Sequence, residues 1–312
     1  MPTSTDISRR FMNLPLKVGE EIAREYTFID DIIQKAHIER LLLENLSDIH
    51  TVFDGGAGYG RFSILLAKLG LKVTHFDISE GMIVKAKEIA EREGVTDNIT
   101  FVHGALEDLS EFSDNQFDMV MSFDAPISYT YPNHETVIGN LARIASKRLV
   151  ISVYSRLAWT YQFDPAQKSK YILDKNTNDP LARWTLDHAI GQLTDYKPDM
   201  VLVREFFKTG LIEKPEETMK EYDKGNSPWP VSYSFLPDEL TSILERTGAK
   251  GVKLSGPGAL SRPIPEEVLS NIMCDEHLKQ EFLDFCYWYD CQQWCVGMGK
   301  DNLVAIAELL EK

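Results

Sequence analysis

The chain has 312 residues, enough to bury a full α/β core and still carry an inserted subdomain. Its 33 Lys+Arg against 48 Asp+Glu give a net charge of -15, which opposes general attraction to phosphate backbones and anionic membranes, so a nucleic-acid partner is not expected. No run of about 18 apolar residues occurs, and Met1 to Gly19 has no apolar signal core, so the sequence predicts a cytoplasmic protein without a membrane span.

Residues 1–45 read as a helical cap, because Ile22, Tyr26, Ile29, Ile33, Ile38, Leu41 and Leu42 recur near helical spacing. A core of alternating strands and helices is predicted over 46–155. Thr51-Val52-Phe53 makes a short buried strand, glycines follow, and a helix runs from Arg61 to Leu69. Lys72 to Phe76 is the second strand, and Ser79 caps a helix with Met82, Ala86, Ile89 and Ala90 on its apolar face. Ile99 to His103 is the third strand and Phe117 to Phe123 the fourth. An amphipathic segment follows Asn133, and Leu149 to Tyr154 is the fifth strand. Such β-α-β-α alternation implies a parallel sheet with helices on both faces.

Residues 156–232 break the rhythm and are predicted to be an inserted lid or substrate subdomain, with one strand-like run, Met200 to Phe207. The core resumes over 233–312. Pro237 is placed to open a helix, Val252 to Leu254 makes a strand, a helical excursion runs to about Gly299, and Asn302 to Leu309 is the last strand. The cysteines (Cys274, Cys286, Cys291, Cys295) form no Cys-x-x-Cys and have no histidine at finger spacing, so reduced thiols and no metal are expected.

The chemistry sits in Asp54-Gly55-Gly56-Ala57-Gly58-Tyr59-Gly60. A glycine-rich turn between a first strand and a first helix lets a ligand touch backbone atoms, since no Cβ intervenes. Dinucleotide binders want Gly-x-Gly-x-x-Gly, and here Arg61 stands where the third glycine would fall. Asp54 would repel a pyrophosphate but suits a cationic amino-acid tail. Asp77, ending the second strand, can accept hydrogen bonds from both ribose hydroxyls. Both carboxylates fit S-adenosylmethionine (SAM), a sulfonium with an amino-acid tail and no phosphate.

These residues resemble the class I SAM-dependent methyltransferases from about Asp48 to the C-terminus. Asp54-x-Gly56-x-Gly58-x-Gly60 is similar to their first motif, and Asp77-Ile78-Ser79-x-x-Met82 to their ribose-binding segment. Val102 to Asp108 resembles the segment at the adenine edge. Ala105 replaces the acidic residue that many relatives carry there, which leaves the adenine amino group to backbone or to Glu107. Phe117 to Ser122 resembles the fourth-strand motif beneath the methionine part of SAM. The resemblance implies a Rossmann-like seven-stranded sheet of order 3-2-1-4-5-7-6, with the last strand antiparallel and the insert and N-terminal helices forming a lid. It assigns cofactor contacts to Asp54, Gly56, Ala57, Gly58, Gly60, Asp77, Ile78, Met82, Ala105, Leu106, Glu107, Ser122 and Asp124.

Methyl transfer from a sulfonium is an in-line displacement with a donor already activated, so no single catalytic residue is obligatory. Asp124, Tyr129 and His134 are candidates because strand C-termini face the ligand crevice. Asp124 reads equally as a turn cap and His134 as an exposed helix-start residue. Tyr129, Tyr131, Tyr154, Trp159 and Trp184 are candidates for the acceptor pocket or for the lid's own core. The insert carries 11 Lys/Arg and 12 Asp/Glu, a balance unlike an RNA platform. A small-molecule methyl acceptor is the first reading. An RNA-modifying enzyme is the second, from a loose similarity to the bacterial tRNA carboxymethoxyuridine methyltransferase group. A SAM binder without transfer activity, or a dinucleotide enzyme, is the third.

Overall fold

The computed structural model describes residues 3–158 and 199–309. Three helices come first: α1 (Ser4–Met12), α2 (Pro15–Thr27) and α3 (Ile29–Leu43). Thr3 starts α1 with a capping box, its hydroxyl accepting from Asp6 N while the Asp6 carboxylate accepts from Thr3 N. The alternating core follows as β1 (Thr51–Gly55), α4 (Arg61–Lys68), β2 (Lys72–Asp77), α5 (Glu80–Arg92), β3 (Ile99–His103), β4 (Phe117–Ser122), α6 (His134–Ile144) and β5 (Ala145–Ser155). After the break come α7 (Met200–Thr209), α8 (Pro215–Asp223), β6 (Ser234–Phe235), α9 (Pro237–Arg246), β7 (Lys250–Ser255), α10 (Glu266–Cys274), α11 (Glu276–Asp290) and β8 (Asn302–Glu308).

The strand-like reading of Met200 to Phe207 is corrected: this run is helix α7. Val201, Val203, Phe206 and Phe207 are β-branched or aromatic, which favours extended chain locally, but Val203 and Phe206 are buried three apart on one helical face. The Asp199 carboxylate accepts from Val201 N and Leu202 N, and Gly210 ends the helix at φ 77°.

The sheet order is β3-β2-β1-β4-β5-β8-β7, the order 3-2-1-4-5-7-6 once the two-residue β6 is set aside. β8 is antiparallel to β5 and β7, whereas β1 to β5 are parallel. β6, which the sequence did not suggest, pairs in parallel with Tyr154 and Ser155 at the end of β5.

Alternation along the strands feeds two cores. Phe53, Val120 and Ile151 enter one with α6 and α9, and Val52, Met119 and Val150 enter the other with α3 and α4. α3 therefore does more than cap. Its Ile38, Leu41 and Leu42 cover the sheet, while Ile29 and Ile33 pack with Leu269, Met273 and Cys286 of α10 and α11. The parallel strands end together at one edge, where the glycine loop, the turn after β4 and the start of β8 meet.

Candidate active site

The glycine loop leaves β1 and is tied at once to β2. Gly56 N and Ala57 N both donate to Phe76 O, at 2.8 and 3.1 Å. One Asp77 carboxylate oxygen accepts from Gly58 N at 2.8 Å and the other from Ser79 N at 2.7 Å. Asp77 thus braces the loop as well as facing the cavity. Gly56 sits at φ 72°, and an added Cβ would lie 2.5 Å from Pro126 Cγ, so both conformation and packing demand glycine there. Gly60 serves a different end. It starts α4 from the left-handed region at φ 85°, where a Cβ would press on Ala86 of α5.

Three carboxylates converge on this loop. Asp54 is buried and accepts from Ser63 Oγ at 2.6 Å, and Ser63 Oγ lies 3.2 Å from His75 Nδ1. Burial pushes the Asp54 carboxyl up to about 7 against the Ser63 bond, and the charges of Asp77 and Asp124 add to the rise. Burial also raises Asp77, opposed by its two backbone donors. Asp124 and Ala125 follow β4 with φ of 62° and 60°, two successive non-glycine residues in a costly region, and Gln34 Nε2 donates to Asp124 at 3.0 Å. Buried carboxylates held near one another become favourable when a cation arrives, whereas a pyrophosphate would meet like charge. Lys35 of α3 and Arg61 at the start of α4 stand on the same wall, suited to a carboxylate. The donor set therefore fits a zwitterionic amino-acid tail carrying a further positive charge.

The N-terminal helices roof this cleft. Thr5 Oγ1 donates to Glu107 at 2.8 Å, and Ser79 Oγ lies 3.0 Å from Met12 O and 3.1 Å from Asn13 Oδ1. Arg10 donates to the carbonyls of Tyr222 and Asn226, so α1 also reaches the end of α8 and the turn after it. The result is one cavity whose wall includes Met12, Lys17 and Glu21 from the roof, Trp229 from the segment before β6, and Asp301 and Asn302 at the start of β8.

Residues 52–148, from β1 into β5, match the methyltransferase domain family. Over these residues the chain carries a methyltransferase domain of the SAM-dependent kind. The Escherichia coli tRNA 5-carboxymethoxyuridine methyltransferase is 34% identical over 84 residues, which is 27% of this chain and 32% of that protein. A sterol 24-C-methyltransferase of Gibberella zeae is 26% identical over 181 residues, covering 57% of this chain and 43% of its own. The chain thus spans less than half the length of these curated relatives. Among solved structures, the Burkholderia thailandensis 1,6-didemethyltoxoflavin-N1-methyltransferase, with bound 1,6-didemethyltoxoflavin and S-adenosylhomocysteine, shares the fold. Its TM-score is 0.53 at 14% identity, over 97% of this chain and 88% of that one.

Within this methyltransferase domain the cavity wall includes Asp54, Gly56, Ala57, Gly58, Asp77, Ile78, Met82, Leu106, Glu107 and Asp124. Gly60, Ala105 and Ser122 are not part of it. Gly60 is spent on the α4–α5 approach. Ser122 is fully buried in β4 with no partner for its hydroxyl among the described residues. Gly104 lines the wall where Ala105 was expected, and a Cβ on it would lie 2.4 Å from the Phe76 ring.

Tyr129 and Tyr154 line the cavity with their hydroxyls bonded to each other, and burial holds the Tyr129 phenol far above its ordinary range. Tyr131 and His134 do not line it. They stack with Tyr233, whose ring centroid is 6.0 Å from Tyr131 and 4.2 Å from His134. Burial lowers the His134 imidazole, as fits a packed ring. Trp159 and Trp184 lie outside the described residues. The sequence reading passed over Lys17, Glu21, Lys35, Arg61, Asp301 and Asn302 as site residues. None of them carries a local sequence signal for the site.

Proposed function

We propose that the chain transfers the methyl group of SAM to a small organic acceptor held between the glycine loop and the roof of α1 and α2. When bound, SAM supplies an activated methyl group on a sulfonium. Asp77 accepts from the ribose hydroxyls, Asp54 and Asp124 from the ammonium, and Lys35 and Arg61 receive the tail carboxylate. Tyr129, Tyr154 and Trp229 shape the acceptor's side. The roof excludes water and fixes the approach, which is most of what an in-line displacement from an activated donor requires. The single observation carrying this reading is the convergence of Asp54, Asp77 and Asp124 on one cavity with the glycine loop, roofed by α1 and α2.

A roofed cleft and a net charge of -15 support a small acceptor over a polynucleotide. An RNA acceptor stays second because the similarity to the tRNA enzyme spans 84 residues. A cytoplasmic location belongs to the same reading. Among the described residues no helix is long and apolar enough to cross a membrane. Calorimetry with SAM, S-adenosylhomocysteine and NAD tests the cofactor, and filter binding to bulk tRNA at two salt concentrations tests the acceptor class. NAD binding with indifference to both sulfur compounds would reject the cofactor. Salt-sensitive tRNA binding would move the RNA reading to first place.

A further inference from the structure

Building on the proposed reading, we infer that the acceptor is an organic amine, held through its N–H donors by Asp301 and Asn302 at the start of β8. β8 runs antiparallel to β5, with Asn302 opposite Tyr154, so its first residues stand beside the C-terminal ends of the parallel strands. Ser155 N donates to Asp301 O at 2.7 Å, which fixes the backbone there.

Both side chains line the cavity, and Asn302 is only 4% exposed. Asp301 Oδ1 and Asn302 Oδ1 are buried with no hydrogen-bond partner among the described residues. Buried acceptors are nearly always paired, and leaving two of them unpaired in one wall costs free energy until a donor arrives. What is missing is therefore a donor, and a ligand supplying N–H groups meets that need.

The charge of the wall points the same way. With the groups assigned to the cofactor in the proposed reading set aside, it carries Glu21, Glu107 and Asp301 against Lys17. Lys17, the cation on the roof, is matched by Glu21 at 2.6 Å. Tyr129 and Trp229, with ring centroids 6.1 Å apart, add aromatic faces that attract an organic ammonium. An anionic acceptor would meet the reverse of each of these features. The amine is the group by which the acceptor is held, whichever of its atoms receives the methyl.

The test uses the full chain saturated with S-adenosylhomocysteine, and calorimetry with three matched probes: 2-phenylethylamine, 2-phenylethanol and 3-phenylpropionate. The amine is expected to bind at least roughly tenfold more tightly than either analogue, since charge-assisted bonds to a carboxylate are the strong ones. Asp301→Asn, an isosteric change, should erase most of that preference while leaving affinity for S-adenosylhomocysteine within about twofold. Asn302→Leu should weaken the amine further, and a preserved melting temperature reports that the variant is folded. A tighter carboxylate, no amine binding, or an amine preference unchanged in folded Asp301→Asn would each overturn the inference. Failure to bind S-adenosylhomocysteine would instead overturn the methyltransferase reading on which it rests.

Discussion

Pro126 stands where a side chain on Gly56 would have to go, so the turn after β4 and the glycine loop after β1 are locked face to face. Gly56→Ala therefore meets two penalties, a left-handed φ and a clash with a rigid ring. It should destabilise the chain by about 1–3 kcal/mol and weaken S-adenosylhomocysteine binding. Adding Pro126→Gly removes the clash but not the backbone penalty. The double variant should recover part of the loss in melting temperature, and no recovery would show that packing against Pro126 is not what excludes the side chain.

Asp54, proposed to meet the cofactor's ammonium, should tie cofactor affinity to pH. Its folded-state carboxyl is raised to about 7, so without a ligand the neutral form is favoured below about pH 7. The stability it contributes is present below the ordinary carboxylate range and is lost as pH rises through about 7. A bound ammonium reverses the preference by stabilising the ionised form. Affinity for S-adenosylhomocysteine should accordingly rise by roughly tenfold between about pH 6 and about pH 8, the span of a one-proton link. Glu213, also raised to about 7 by burial, is not on the cavity wall and should affect stability in the same sense without adding to this slope. Calorimetry across that range checks the rise, and Asp54→Asn should flatten it.

Much of this frame could be read from residues 46 to 155, because local pattern and tertiary role agree there. Val52 and Phe53 face opposite cores and both had to be apolar, while the positions taken by Gly56 and Gly60 are open only to glycine. The pattern failed where the two disagree. Met200 to Thr209 looks extended residue by residue and is helical because Asp199 caps it and only Val203 and Phe206 are buried. The roof and the β8 contribution were illegible for another reason. Lys17, Glu21, Asp301 and Asn302 carry no local signature, and only the folding of both chain ends over the strand termini brings them together. His134 and Tyr131 show the converse, since nearness in sequence to β4 did not place them at the cavity.

Tyr129 and Tyr154 satisfy each other's hydroxyls inside the cavity wall. Removing one leaves the other as a buried polar group without that partner, whereas removing both leaves an apolar pair of similar shape. Tyr129→Phe and Tyr154→Phe should each cost about 1–3 kcal/mol, and the double variant less than their sum. Chemical denaturation of the four proteins closes the cycle. Strict additivity would mean that the two hydroxyls do not depend on one another.

His134 offers a negative control for catalysis. Its ring is stacked on Tyr233 and set edge-on against Phe235, away from the cavity wall. His134→Phe keeps an aromatic ring in that stack and should leave turnover within a few-fold of the parent. A fall of about 100-fold or more with intact folding would instead place the imidazole in proton transfer.

Asn13 is the hinge between α1 and α2, and its carboxamide oxygen lies 3.1 Å from Ser79 Oγ and 3.3 Å from Gly81 N, at the N-terminus of α5. The same turn follows Asp77, so the roof is fastened to the strand end proposed to hold the ribose. Asn13→Ala removes that fastening without opening either hydrophobic core of the sheet. The effect should fall on dissociation of S-adenosylhomocysteine, faster by about 5- to 30-fold for a loss of about 1–2 kcal/mol, with little change in melting temperature of the empty protein. Stopped-flow displacement measures the rate directly. An unchanged off-rate would mean that α1 and α2 lie over the cofactor without retaining it.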